Sequence, residues 1–104
     1  MKQDAVLQLI SLAQRAGGVS SGEFMTETSV KEGKAFLVIV AKDSSNRTKK
    51  SFKDMCDYYN VEYREYSDKE TLGHAIGKEF RASLSVSNEG LAKQIVSKID
   101  GGSN

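Results

Sequence analysis

Residues 36–41, Phe-Leu-Val-Ile-Val-Ala, form the most apolar run in the chain, and it is rich in β-branched side chains. A short unbroken run of this kind predicts a strand buried on both faces. Around it the period changes. Residues 3–16 place Ala5, Leu9, Leu12, Ala13 and Ala16 on one helical stripe, and Gly17 predicts the stop. Val19 and Ser20 suit a very short strand. Ser20 or Ser21 would cap a second helix that runs to about residue 32, with Glu27 and Lys31 spaced i, i+4 and Gly33 as its stop.

After the central strand, Ser44 or Ser45 would cap a third helix with Phe52, Met55, Cys56 and Tyr59 on its buried side and Asn60 at its end. Val61, Tyr63 and Glu65 alternate as a strand. Ser67-Asp68-Lys69-Glu70 has the form of a capping box and opens a short helix carrying Leu72, Ala75 and Ile76, stopped by Gly77. Ala82, Leu84 and Val86 alternate as a further strand. Ser87 or Asn88 would cap the last helix, with Leu91, Ala92, Ile95 and Ile99 facing in. Helices alternating with strands predict an α/β fold with a sheet covered on both faces. Residues 1–100 read as one domain and residues 101–104 as a disordered tail.

Composition narrows this little. A chain of 104 residues suits one core. With 28% charged and 38% hydrophobic residues it is neither a disordered tail nor a membrane protein. The opening residues lead into an amphipathic pattern and not a signal peptide. Cys56 is the only cysteine, so no internal disulfide forms, which fits a cytoplasmic location. The net charge of +1 does not advertise nucleic acid, so any such binding must come from a local patch.

Two Gly- and Ser-rich turns provide that possibility. Each opens a helix, and helix starts present unpaired N–H groups with a partial positive charge. Arg47, Lys49, Lys50 and Lys53 crowd the first turns of the third helix, where the dipole disfavours cations. A charge run is more often a solvated face, and this one is read equally as a polyanion site. Lys34 and Lys42 flank the central strand at opposite ends, so only Lys42 lies near the two turns. Asn46 is either a cap partner or a contact. Phe24 would either stack on an unpaired base or, the favoured reading, pin its helix to the core. His74 lacks partners for a triad or metal site and reads as structural, and Cys56 reads as an inert core thiol. No phosphate-loop, dinucleotide or metal-ligand motif is present. No catalytic residue, metal or cofactor is expected.

Ser11-Leu12-Ala13-Gln14-Arg15-Ala16-Gly17, Ser21-Gly22-Glu23, Gly33-Lys34-Ala35, Ala41-Lys42-Asp43-Ser44-Ser45-Asn46, Tyr59-Asn60-Val61, Leu72-Gly73-His74-Ala75-Ile76-Gly77-Lys78 and Arg81-Ala82 occur in that order. In this series the chain resembles the bacterial YlxQ family, a branch of the ribosomal L7Ae/L30e superfamily, over residues 6–96. The resemblance implies a three-layer α-β-α sandwich around a four-stranded mixed sheet and a non-catalytic role in binding structured RNA, typically a kink-turn. It implies RNA contacts from Ser21, Gly22, Glu23 and Phe24 at the second helix start; the charge pattern adds Lys42, Arg47, Lys49 and Lys50 as a basic rim, with Asn46 as a polar contact beside them. Arg81, Ala82 and Ser83 match the loop that covers a flipped-out nucleotide. In kink-turn binders an Asn and a Glu read guanine edges and a Lys meets phosphate or base. Those three positions hold Phe24, Met25 and Thr28, and Phe24 and Met25 cannot supply such hydrogen bonds. The implied partner is ribosomal or other structured RNA, with the ribosome as a further candidate, bound by a monomer. The competing reading keeps the fold and makes Phe24 and Met25 the apolar anchors of a protein-interaction module.

Overall fold

The computed structural model describes residues 4–101. The chain forms α1 (Ala5–Arg15), β1 (Val19–Ser21), α2 (Glu23–Lys31), β2 (Leu37–Val40), α3 (Asn46–Tyr59), β3 (Glu62–Glu65), α4 (Lys69–Ala75), β4 (Ser83–Val86) and α5 (Glu89–Gly101). The strands make one four-stranded sheet in the order β1-β4-β2-β3. β2 runs parallel to β3 and antiparallel to β4, so the sheet is mixed.

Alternation along the inner strands builds two cores. Leu37 and Ile39 of β2, with Leu84 and Val86 of β4, pack with Val6, Ile10 and Ala13 of α1, Leu72 of α4 and Ala92 and Ile95 of α5. Val38 and Val40 point the other way, to Val30 of α2 and Phe52 and Cys56 of α3. Successive strand residues face opposite layers, so β2 must be apolar throughout. The result is the expected three-layer sandwich, with α1, α4 and α5 on one side and α2 and α3 on the other.

Several local expectations need correction. In α1 the buried stripe is Val6, Ile10 and Ala13, while Ala5, Leu12 and Ala16 are exposed. The helix is apolar over more than half its circumference, so two stripes fit the period, and the one with the bulkier residues fills the core. Ser20 and Ser21 do not cap α2, because they pair with β4 in the ladder. Gly22 takes the cap position with no side-chain hydrogen bond. In the Ser67–Glu70 segment Asp68 is the cap, accepting from the Thr71 N–H at 2.7 Å. Ser67 instead sits at φ +61° and accepts the Lys42 N–H at 2.8 Å. β4 is buried on both faces, Ser83 and Ser85 included, because it lies inside the sheet between β1 and β2. Tyr59 is 40% exposed and not part of the core.

Other boundaries match. Ser45 caps α3 by accepting from the Thr48 N–H at 3.1 Å, and Asn60 ends it in the left-handed region. Asn88 accepts from the Leu91 N–H at 2.9 Å at the start of α5. Gly101 is the last residue of that helix. The rest of the expected tail, residues 102–104, and Gln3 at the expected start of the first helix lie outside the described residues.

Candidate nucleic-acid interface

The second helix begins abruptly. Gly22 has φ +90° and ψ 160°, a backbone conformation open in practice only to glycine. Its N–H donates to the Ser83 carbonyl at 3.0 Å, and its carbonyl accepts from the Thr26 N–H at 3.0 Å. The ladder therefore consumes the Gly22 donor, and the N–H groups that follow are left without a side-chain cap. A helix end of this kind carries partial positive charge into solvent.

The start of α3 lies beside it. Glu23, Ser45, Arg47, Thr48 and Ser51 line one shared depression between the two helix starts. Ser45 is the α3 cap, so the capping role left open for Asn46 belongs to its neighbour, and Asn46 stands exposed in the first turn. Arg47 is exposed and enters no ion pair among the described residues. Glu23 brings a carboxylate into the same depression, where the dipole of its own helix favours it and where it tempers the charge of Arg47.

The segment before β4 joins both starts. Arg81 Nε donates to Ser21 Oγ at 3.0 Å and Nη1 to the Phe80 carbonyl at 2.7 Å, and the Arg81 N–H donates to the Lys69 carbonyl at 3.0 Å. The Ala82 carbonyl accepts from the Ala41 N–H at 2.9 Å and from Ser44 Oγ at 3.3 Å, on the approach to α3. Ser83 is buried, its Oγ lying 3.5 Å from Thr26 Oγ1. Ser21, Gly22, Glu23, Arg47, Arg81, Ala82 and Ser83 are thus drawn together, with Asn46 at their margin.

The remaining cations are placed less uniformly. Lys42 is exposed just past β2 and enters no ion pair among the described residues. Lys49 turns toward Glu65 of β3, 3.9 Å away. Lys50 pairs with Asp54 at 2.8 Å, and that hydrogen bond raises its pKa above the ordinary lysine value. Lys53 pairs with Asp57 at 3.6 Å. Exposed pairs of this sort are screened by solvent and worth little, so they weaken the rim without closing it. Lys34 lies beside Glu32 at the other end of β2.

Phe24 and Met25 are 75% and 50% exposed, against the expectation that Phe24 packs in the core. Thr26, Ser29 and Val30 face inward instead, because small side chains let α2 lie close to β4. The sequence reading missed Phe80, which is 59% exposed and directly precedes Arg81. It also missed Gly73, whose hydrogen faces the Glu79–Phe80 backbone so closely that a Cβ there would stand 2.6 Å from the Glu79 carbonyl oxygen. An aromatic residue next to an arginine, between a helix stop and a strand, is the one signal that would have pointed to Phe80.

Nothing in this region has the form of a reaction centre. Cys56 is buried, and desolvation with some help from Asp57 pushes its thiol up to about 12. His74 is exposed on the last turn of α4. Among the described residues no group of three or more His, Cys, Asp or Glu side chains could hold a metal ion, and no helix is long and apolar enough to cross a membrane.

Comparison with known proteins gives a consistent answer. Residues 4–96 match the profile of the ribosomal protein L7Ae/L30e/S12e/Gadd45 family. The chain is 37% identical over 92 residues to the RNA-binding protein YlxQ of Bacillus subtilis (strain 168), spanning 88% of this chain and 92% of that one. It is also 37% identical over 95 residues to the RNA-binding protein YlxQ of Enterococcus faecium, spanning 91% of each. A Bacillus halodurans protein of unknown function superposes with a TM-score of 0.91 at 32% identity, over 94% of this chain and 99% of the other. The Giardia lamblia 15.5kD RNA binding protein superposes at 0.81 with 22% identity, over 97% and 92%, a likeness of fold.

Proposed function

This chain belongs to the ribosomal protein L7Ae/L30e/S12e/Gadd45 family, and from that premise we propose that it is a non-catalytic RNA-binding protein of the translation machinery. The observation that carries the reading is the convergence of two helix starts and the Arg81 segment on one rim, with Arg47 and Arg81 outside any ion pair among the described residues. Uncapped N–H groups after Gly22 donate to a phosphate at short range, and the Arg47 guanidinium and the open Nη2 of Arg81 neutralise neighbouring phosphates. Lys42, Lys49 and Lys50 add longer-range attraction. The small Ala82 lets the RNA backbone approach.

Recognition of this kind reads shape and backbone more than base edges. Phe24 and Met25 stand where kink-turn binders carry polar readers, and neither can hydrogen-bond a guanine edge. The RNA partner in this reading is a folded, kink-turn-like element gripped by its backbone and not by its guanine edges, bound by a monomer in the cytoplasm, with ribosomal RNA and the ribosome as the natural setting. Crosslinking the protein to RNA in cells and sequencing the attached fragments tests it. Enrichment of one or a few folded RNA elements supports the reading, and a profile that only mirrors RNA abundance refutes it.

The exposure of Phe24 and Met25 favours one second reading, in which the same rim docks a protein through an apolar anchor. Substituting both by Ser separates the two. Loss of a protein partner with RNA retention unchanged would favour that alternative.

A further inference from the structure

At the end of β2 away from the proposed RNA rim, the two helical layers part and leave a cleft of about 500 Å³. Its floor is methyl-rich, from Val30, Ala35 and Val61 on one side and Ala92 and Val96 of α5 on the other. Phe36 and Tyr59 form its aromatic wall, and they are 42% and 40% exposed. Half-open rings over an apolar floor are the ordinary make-up of a small-molecule site, and the volume falls within the roughly 300–1,000 Å³ of such sites.

The charges at the mouth define the ligand further. Four charged residues line it, and each already has an opposite partner. Lys31 pairs with Glu27 at 2.6 Å, Lys93 with Glu89 at 3.5 Å, and Glu62 with Arg64 at 3.1 Å. A charged ligand would meet both signs and would compete with pairs already formed. We propose that this cleft binds an uncharged aromatic small molecule of one or two fused rings, held between the Phe36 and Tyr59 rings and the methyl groups of α5. The site is independent of the RNA reading. It flanks the start of β2, whereas Lys42 follows its end, and a strand of this length separates the two by about 13 Å.

The test is a methyl-resolved NMR titration of the intact protein with three probes, indole, indole-3-acetate and tryptamine. Indole is expected to shift the methyl resonances of Val30, Ala35, Val61, Ala92 and Val96 saturably, and the anionic and cationic analogues are expected to bind more weakly. Val96→Trp, at a half-buried position, and Ser97→Trp, at an exposed one, are expected to abolish the indole shifts by filling the cleft. Absence of saturable shifts with indole overturns the proposal. So does equal or tighter binding of either charged analogue, or an unaltered response in a folded plugged variant. If both variants unfold, the ranking of the three probes on the unsubstituted protein still decides.

Discussion

Arg81 Nε donates a 3.0 Å hydrogen bond to Ser21 Oγ, tying the segment before β4 to the last residue of the edge strand β1. The bond spans 60 residues of sequence and fixes the guanidinium beside the start of α2. With Nη1 held by the Phe80 carbonyl, Nη2 has no partner among the described residues. A cation anchored on two sides and open on the third binds an anion with little further loss of side-chain entropy.

The start of α2 depends on Gly22. Nothing lies within 4 Å of a Cβ added there, so space does not forbid alanine, but φ +90° does. Gly22→Ala is expected to lower stability by about 1–3 kcal/mol. Urea denaturation checks this. RNA affinity should also fall, because relaxing the strain tilts the first turn away from Arg47.

Gly73 acts on the same rim from behind. A Cβ there would meet the Glu79 carbonyl oxygen at 2.6 Å and the Phe80 nitrogen at 2.9 Å, both backbone atoms that a side-chain rotation cannot move aside. Gly73→Ala is expected to push that segment outward and to cost about 1–3 kcal/mol, in the range of core overpacking. Denaturation measures the cost, and chemical-shift changes at Arg81 and Ser21 report the displacement.

Acid should loosen the end of α5. Arg64 grips Asp100 with Nε–Oδ1 at 2.8 Å and Nη2–Oδ2 at 2.7 Å, and this bond holds the Asp100 carboxyl below the usual carboxylate range. A pKa lowered by folding adds stability that is complete above the unfolded value, about 3.9, and is lost as pH falls through the folded one. Asp68, held low first by the Thr71 backbone N–H, acts in the same direction. Asp100→Asn is therefore expected to lower the urea midpoint at pH 7 and to converge with the unsubstituted protein in strong acid. A constant difference across that range would contradict this.

Much of the architecture was legible in the residue pattern. The unbroken run around Ile39 announced a strand covered on both sides, and Ser45, Gly33, Asn60 and Gly77 marked helix limits by side-chain chemistry and backbone freedom. Burial of Ser83 and Ser85 was not legible, because a small hydroxyl is buried or exposed according to the strand's neighbours, and β4 became an inner strand only through long-range pairing. Phe24 misled for a related reason. Hydrophobicity predicts burial only where a facing layer exists, and Phe24 and Met25 lie off the face of α2 that carries Thr26, Ser29 and Val30 to the sheet. At the rim, the crowding of Arg47 and Lys50 on one helix was visible locally, and so was the ground for their different fates. Asp54 lies one turn on from Lys50, whereas Arg47 has no such carboxylate among the described residues.

The claim on which the account rests is that unpaired cations at this end of β2 grip RNA phosphates. Its most direct test compares two double charge reversals that change net charge equally, Lys42→Glu with Arg47→Glu at the rim and Lys34→Glu with Lys93→Glu at the opposite end, in salt-dependent binding to a crosslink-identified RNA. Weaker binding is expected for the rim pair alone, with the slope of log affinity against log salt reduced by about 1–2, the loss of one or two phosphate contacts. Equal affinity and equal slope in the two double variants would contradict it.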